Sequence, residues 1–313
     1  MRKEHPLDYS DPKTRREVLI RQRRGIWTPE QVASFARHFR LRPGKKLLDA
    51  GCGHGYIMRT YGPFLMPGGR LTGLDREPKL MATAKRLLRR DGLEHAADFV
   101  EGDIGAMPFR DNSFHVSIAH VVFCHLREPE RALDELIRVT KPGGCVAVFD
   151  NAIAGGESSG WSNRRRPPLR QRLADIETSL RSLEGRRRLG HGDFSVGCYL
   201  PSWMEARGMR NVDVRSNERV HWIAPPYRSP GQRTQLRNTR ERLREKPDRR
   251  VWWPRQEEQM RAGGCSEATI RRLGRSITRH YARTRELLRA RKLAYAWSGQ
   301  FWCVWGFKPR KRR

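Results

Sequence analysis

The feature that most constrains this chain is a rhythm between Lys46 and Asp150, where short apolar runs alternate with amphipathic stretches. The runs are "KLLDA" (46–50), "RLTGLD" (70–75), "ADFVEGD" (97–103), the start of "FHVSIAHVVF" (114–123) and "CVAVFD" (145–150). Runs this short, bounded by glycine, proline or acidic residues, read as buried strands. Between them, "PKLMATAKRLLRR" places Leu80, Ala84, Leu87 and Leu88 on one helical face, and "EPERALDELIRVT" does the same with Ala132, Leu133, Leu136 and Ile137. Strands joined through helices pair in parallel by right-handed crossovers, so the pattern predicts a parallel sheet with helices on both faces.

The flanks are less regular. Thr28, Pro29, Glu30 and Gln31 supply an N-cap, a proline at the first helical position and a capping-box glutamine, ahead of Val32, Phe35, Ala36 and Phe39 at helical spacing. The preceding "TRREVLIRQRRGIW" (14–27) reads as a further short helix or an arm. After Asp150 the rhythm breaks. Residues 151–168 read as loop, 169–185 and 200–209 as helices, and "NVDVRSNERVHWI" (211–223) as a sixth strand. A largely helical stretch follows, in which Ser266 caps a helix carrying Ile270, Leu273, Ile277 and Tyr281 on one face. Trp252 and Trp253 read as packing of this insert rather than as walls of a substrate site. "AYAWSGQFWCVWGF" (294–307) reads as the last strand and "KPRKRR" as a frayed tail. The expected organisation is an N-terminal helical segment over 1–40, a core over 41–151, the remainder of the core with a substrate-side insertion over 152–228, a helical insertion or lid over 229–292, and the last strand with a basic tail over 293–313.

The chain carries 64 Lys and Arg against 34 Asp and Glu, a net charge of +30, and it carries it unevenly. Residues 1–150 hold 26 against 19, and the rest 38 against 15. Such a half attracts nucleic acid, anionic lipid or an acidic substrate. No nucleic-acid motif accompanies the charge, so the first reading is a solvated basic surface, with nucleic acid as the alternative partner. No apolar run approaches the ~20 residues that span a bilayer. The basic N-terminus has no apolar segment behind it, so it does not read as a secretory signal. Six cysteines (52, 124, 145, 198, 265 and 303) form no C-x-x-C pair. That spacing supports neither a metal site nor a disulfide framework and points to the cytoplasm.

The candidate chemistry sits in "LLDAGCGHG" (47–55). Glycines at 51, 53 and 55 give G-x-G-x-G, whereas a dinucleotide loop needs G-x-G-x-x-G. Asp49 stands in front of them, where it would repel a pyrophosphate and favour a cationic ligand. S-adenosylmethionine carries a sulfonium and an ammonium and suits such an acid. Asp75, twenty residues after Gly55, is placed to accept both ribose hydroxyls, or else to cap the helix beginning at "EPKL". Asp103 in "EGDI" is placed to accept the adenine amine, with the Ile104 N–H serving a ring nitrogen. Acids at the carboxyl ends of consecutive strands lie along the crevice where open α/β sheets bind ligands.

With "LLDAGCGHG", "LTGLD", "EGDIGAMPFRDNSF", "AHVVFCHL" and "RVTKPGG" in this order, residues 46–150 resemble a class I S-adenosylmethionine-dependent methyltransferase. The resemblance continues through "YLPSWMEARGMRNVDV" and the final strand and does not cover 229–292. It implies an α/β fold: a Rossmann-like seven-stranded sheet with helices on both faces, plus N-terminal helices and a helical insertion before the last strand. It implies S-adenosyl-L-methionine as cofactor, bound by Asp49, Gly51, Cys52, Gly53, Gly55, Asp75, Arg76, Asp103, Ile104 and His120. The sequence departs from the family at His115, where an Asp is common, and at Cys124, where a Glu is common. His120, His125 and His191 are the candidates for a general base, set against the commoner structural role of a buried histidine. The reaction implied is in-line displacement at the activated methyl by an acceptor, read as a small molecule. The alternatives are methylation of RNA or protein through the basic half, a protein that binds the cofactor without turning it over, and a nicotinamide-dependent oxidoreductase, which the glycine spacing disfavours.

Overall fold

The computed structural model describes residues 27–153, 159–162, 168–217, 221–244, 252–298 and 300–310. In chain order the elements are α1 (Pro29–His38), β1 (Lys46–Ala50), α2 (Tyr56–Tyr61), β2 (Arg70–Asp75), α3 (Pro78–Arg90), β3 (Ala97–Glu101), β4 (Phe114–His120), α4 (Pro129–Val139), β5 (Thr140–Asn151), β6 (Ser159–Ser162), α5 (Leu169–Arg188), α6 (Val196–Ala206), β7 (Arg210–Ser216), β8 (His221–Ile223), α7 (Pro230–Arg244), α8 (Trp252–Ala262), α9 (Glu267–Arg289), β9 (Tyr295–Ser298) and β10 (Phe301–Phe307). They form two compact units: Met1–Ala152 with Phe194–Arg219 and Gln300–Arg313, and Ile153–Asp193 with Val220–Gly299.

The first unit is built on a seven-stranded sheet ordered β3-β2-β1-β4-β5-β10-β7. Strands β1 to β5 pair in parallel, as the alternation predicts. β10 runs antiparallel to both β5 and β7. The parallel rule rests on helical crossovers, and β10 is reached through the second unit instead. Successive residues of β1 serve opposite faces. Leu47 joins a buried cluster with Phe35 and Phe39, Met58 and Tyr61 of α2, and Leu88 of α3. Leu48 joins one with Leu133 and Leu136 of α4 and Leu200 of α6. Both faces are therefore covered, which is why β1 and β4 are buried almost throughout. The capping box forms as read: the Thr28 N–H donates to Gln31 Oε1 and the Gln31 N–H to Thr28 Oγ1, each at 3.2 Å.

The second unit holds α5, α7, α8 and α9 with a three-stranded antiparallel sheet ordered β6-β9-β8. Helices α5 and α8 approach so closely that a Cβ on Gly185 would lie 1.7 Å from the Gln259 carbonyl oxygen. Trp253 packs with Met260, Ile270 and Leu273. Ser266 caps α9, accepting from the Thr269 N–H at 3.2 Å.

Three readings are corrected. "NVDVRSNERVHWI" is two strands, β7 and β8, and "AYAWSGQFWCVWGF" is likewise β9 and β10; in each pair one member belongs to each sheet. The 151–168 loop contains β6. Strand-forming side chains mark an extended backbone without naming its partner. The tail is anchored where it begins, since Lys308 Nζ donates to Asn112 Oδ1 (2.8 Å) and to the carbonyls of Ile137, Arg138 and Thr140 (2.8–3.1 Å), closing the end of α4. A lysine ammonium there satisfies carbonyls that the helix leaves open. The helix or arm read over 14–26 and the last three tail residues lie outside the described residues. Among those residues no helix is long and apolar enough to cross a membrane.

Candidate functional site

The central position of β1 delivers Asp49 to the carboxyl end of the sheet, level with Gly73 of β2 and Ile118 of β4, and buries it to 1% exposure. The chain then turns sharply, with φ of +79° at Gly51, +52° at Gly53 and +77° at Gly55. Glycine is needed at 51 for space as well as for φ, because a Cβ would meet Val122 Cγ2 at 2.5 Å. The N–H groups of Gly51 and Cys52 donate to the Leu74 carbonyl at 2.7 and 2.9 Å. The Gly53 N–H donates to Asp75 Oδ2 at 2.7 Å, and Asp75 Oδ1 accepts from the Glu77 N–H at 3.0 Å. Asp75 thus ties the glycine loop to the turn after β2. The N-cap of α3 is Glu77, so Asp75 is not its cap. A carboxylate has about four acceptor positions, and these two bonds use one on each oxygen.

"EGDI" lies beside this turn, with the Gly102 N–H on the Asp75 carbonyl at 3.0 Å. Asp103 Oδ1 accepts from the Gly105 N–H at 2.6 Å, Ile104 is buried and Arg76 is exposed. The Cys52 side chain points into the core, where its sulfur would lie 2.9 Å from a Cβ on Gly73. Burial first, then the charges of Asp49 and Asp75, push its thiol well above the ordinary value. Cys52 therefore offers a ligand only its backbone.

The opposite wall is the end of β4. His120 is 2% exposed, its ring 5.1 Å from that of Tyr56 and 5.6 Å from that of Phe149. Val121 follows at φ +55°, a left-handed conformation that strains a β-branched residue. Its N–H donates to the Phe149 carbonyl at 2.7 Å, and the turn lays Val122 over Gly51. Asp150 holds this turn in place. Its Oδ2 accepts from the N–H groups of Val122 (3.1 Å) and Cys124 (3.2 Å), and its Oδ1 from that of Asn151 (2.7 Å). Burial raises its pKa, and the hydrogen bonds from Cys124 and Asn151 oppose the rise. Asp150 was not among the sequence candidates; the available signal was an acid ending the apolar run "CVAVFD" at the same edge as Asp49 and Asp75.

The histidines separate. His120 packs beside Tyr56, the residue that follows Gly55. His125 ends a short 3₁₀ turn, its ring edge-on to Phe194 at 6.0 Å. His54 is buried within the loop at 3% exposure. His191 belongs to the second unit, where its N–H donates to the Arg186 carbonyl and burial, then Arg255 and Arg186, lower its pKa. Among the described residues no group of three His, Cys, Asp or Glu is disposed to hold a metal.

Residues 48–148 match the family model described as a methyltransferase domain. Cycloartenol-C-24-methyltransferase 1 of Oryza sativa subsp. japonica is 32% identical over 154 residues, which are 48% of this chain and 44% of that protein. Sterol 24-C-methyltransferase erg6 of Aspergillus fumigatus is 30% identical over 163 residues, 52% of this chain and 43% of that protein. The chain thus spans less than half the length of these curated relatives. A solved structure from Bacillus halodurans C-125, assigned to the methyltransferases, superposes with a TM-score of 0.52 at 16% identity, over 90% of this chain and 99% of that one. At that identity the likeness is one of fold. The strand order and the matched segment agree: residues 48–148 form a methyltransferase domain on a Rossmann-like α/β fold.

Proposed function

We propose that this protein transfers a methyl group from S-adenosylmethionine to a small-molecule acceptor in the cytoplasm. The observation that carries the reading is that Asp49, Asp75 and Asp103 end or follow three adjoining strands, β1, β2 and β3, around a loop with three left-handed glycines. This donor set fits the cofactor. Carboxylates repel a pyrophosphate, attract a sulfonium and an ammonium, and accept from ribose hydroxyls and an adenine amine.

In this reading Asp49 and the backbone of Gly51, Cys52, Gly53 and Gly55 hold the methionine end. Asp75 and Arg76 serve the ribose, and Asp103 and the Ile104 N–H the adenine. When bound, the cofactor supplies a methyl carbon on a sulfonium leaving group. The chain's own residues then have to align the acceptor and exclude water. The turn from Val121 to Cys124, braced by Asp150, covers the glycine loop and suits both tasks. His120 and His125 are the candidates in the first unit to receive an acceptor proton, and His191, the third candidate, belongs to the second unit. The relatives named above are cycloartenol and sterol methyltransferases, which supports a small-molecule acceptor. A second reading, methylation of RNA or protein, draws on the 38 basic against 15 acidic residues after Asp150.

The test begins with calorimetry, in which S-adenosylmethionine and its demethylated product bind while NAD and NADP give no heat. Labelled cofactor is then supplied with extract fractions, with and without nuclease or protease. Label entering a low-molecular-weight fraction after both treatments is the expected result. Activity abolished by nuclease or protease favours the second reading, and binding with no transfer to any fraction makes the protein a cofactor sensor.

A further inference from the structure

On the opposite edge of the same sheet, the amino-terminal ends of β1, β4 and β5 and the carboxyl end of β10 build a cavity of about 460 Å³ that plays no part in the cofactor reading. Its construction starts with a register shift. Phe114 pairs with Thr140, yet Val116 pairs with Cys145, so residues 141–144 bulge from the β4–β5 ladder. The bulge is pinned: the Gly143 N–H donates to the Lys308 carbonyl at 2.7 Å and the Lys308 N–H to the Gly144 carbonyl at 3.0 Å. Arg310 is thereby laid against Gly143, at φ +77°, where a Cβ would meet its Nε at 2.9 Å.

Five cations line the cavity, namely Arg40, Arg42, Lys45, Lys141 and Arg310, together with His115. No Asp or Glu is among its lining residues, and among the described residues none of the five makes an ion pair. His115 stands where the sequence departs from the family's common acid. Its Nδ1 accepts from the Lys46 N–H at 3.0 Å, and its Nε2 lies 3.4 Å from Lys141 Nζ. The crowding has a consequence. Burial, then Lys141, Lys45, Lys46 and Arg42, bring His115 down to about 4. Burial, then Arg42 and Lys141, likewise lower Lys45. The floor is apolar, formed by Phe39, Leu41 and Phe307, with the Arg40 guanidinium 4.0 Å above the Phe307 ring.

We propose that this cavity binds a small molecule bearing a phosphate group on an apolar body. Like charges held around a concavity without a counter-ion are stabilised by an anion, and guanidinium groups match phosphate oxygens in pairs. A single cavity of a few hundred Å³ fits a small ligand rather than the extended track that a nucleic-acid backbone needs. The apolar floor selects for a body attached to the charge.

Calorimetry with phenyl phosphate and inorganic phosphate tests this on the full chain. Phenyl phosphate binds, and more tightly than inorganic phosphate. The double substitution Lys141→Ala/Arg310→Ala weakens it by about tenfold or more, as loss of two charge-assisted contacts requires. Arg271→Ala/Arg272→Ala, which removes the same charge from exposed positions of α9, leaves it unchanged. His115→Asp retains an acceptor for the Lys46 N–H and all five cations; by placing a carboxylate in the cavity it also weakens the phosphate. S-adenosylmethionine affinity is the same in every variant, so failure here is distinguishable from failure of the proposed function. An equal loss in the α9 control reduces the effect to net charge and overturns the site. Inorganic phosphate binding as tightly as phenyl phosphate overturns the apolar subsite. A single-stranded RNA oligonucleotide that displaces phenyl phosphate, and that loses affinity only in the cavity variants, overturns the small ligand in favour of nucleic acid.

Discussion

The two ends of one sheet carry opposite chemistry. At the carboxyl ends, Asp49, Asp75, Asp103 and Asp150 surround a glycine turn covered by Val122. At the amino ends, Lys45, His115, Lys141 and Arg310 surround a bulge. β1 runs from Lys46 to Ala50, so the same strand reaches both. Five residues at ~3.3 Å each put the ends roughly 15 Å apart, several times the reach of a hydrogen bond or ion pair. Each end is therefore free to specialise. They also differ in how their charges are satisfied: Asp75, Asp103 and Asp150 accept from the protein's own backbone N–H groups, whereas the cations face each other across an open cavity.

The largest effect that separates the ends is expected at Asp150. Asp150→Ala removes the acceptor of the part-buried Val122 N–H and of the buried Cys124 and Asn151 N–H groups, and an orphaned buried donor costs about 1–3 kcal/mol, so a loss of about 3–5 kcal/mol is expected in urea unfolding. The folded fraction should bind S-adenosylmethionine more weakly while keeping its affinity for phenyl phosphate. A stability unchanged by the substitution would mean that water replaces the carboxylate and that the turn is not braced from below.

A smaller effect is expected at Asp75. In the proposed function Asp75 accepts from the ribose hydroxyls, and loss of charge-assisted hydrogen bonds of about 1.5–3 kcal/mol each is expected to cost Asp75→Ala about tenfold or more in cofactor affinity. Because Asp75 also accepts from Gly53 and Glu77, the protein without cofactor loses about 1–2 kcal/mol as well. Calorimetry and unfolding measured together divide the two roles. A stability loss with unaltered affinity would leave Asp75 as a loop tie alone.

The smallest effect belongs to the basic end. His115 in the folded chain titrates near 4, below its unfolded value of 6.5. The unfolded chain therefore binds the extra proton between these values, and stability rises with pH across that window. The contribution is complete above pH 6.5 and lost as pH falls toward 4. His115→Asn, which keeps an acceptor for the Lys46 N–H, should flatten the rise in urea midpoint between pH 4.5 and 6.5. A slope identical to that of the unsubstituted protein would assign the dependence to other groups.

Much of the cofactor end was legible in the chain. The apolar runs, the glycine spacing and the three acids are local patterns, and a strand that must be buried on both faces leaves few alternatives to a parallel sheet. Asp75 shows the boundary of such reading. Its position after β2 was readable, and its bond to Gly53 was not, because that bond depends on how closely β1 and β2 bring two turns together. Asp150 shows it more sharply. Its partners, Val122 and Cys124, lie 28 and 26 residues away, and nothing in "CVAVFD" names them.

The basic half reads differently. Its charge was visible as a count, which says how strongly the protein attracts anions and not where they settle. Lys45, His115, Lys141 and Arg310 are far apart in sequence and carry no shared pattern. They meet because β1, β4, β5 and the segment after β10 end on one side, and because a register shift makes room between them. The sequence by itself determined the doubly covered sheet, the glycine turn and the acids before and after it, since these follow from side-chain periodicity and from backbone angles that only glycine adopts freely. Tertiary structure alone decided which extended segments pair in which sheet, which acid braces the Val121 turn, and where unpaired cations gather, because each of these is a contact between residues that the chain's local physics does not bring together.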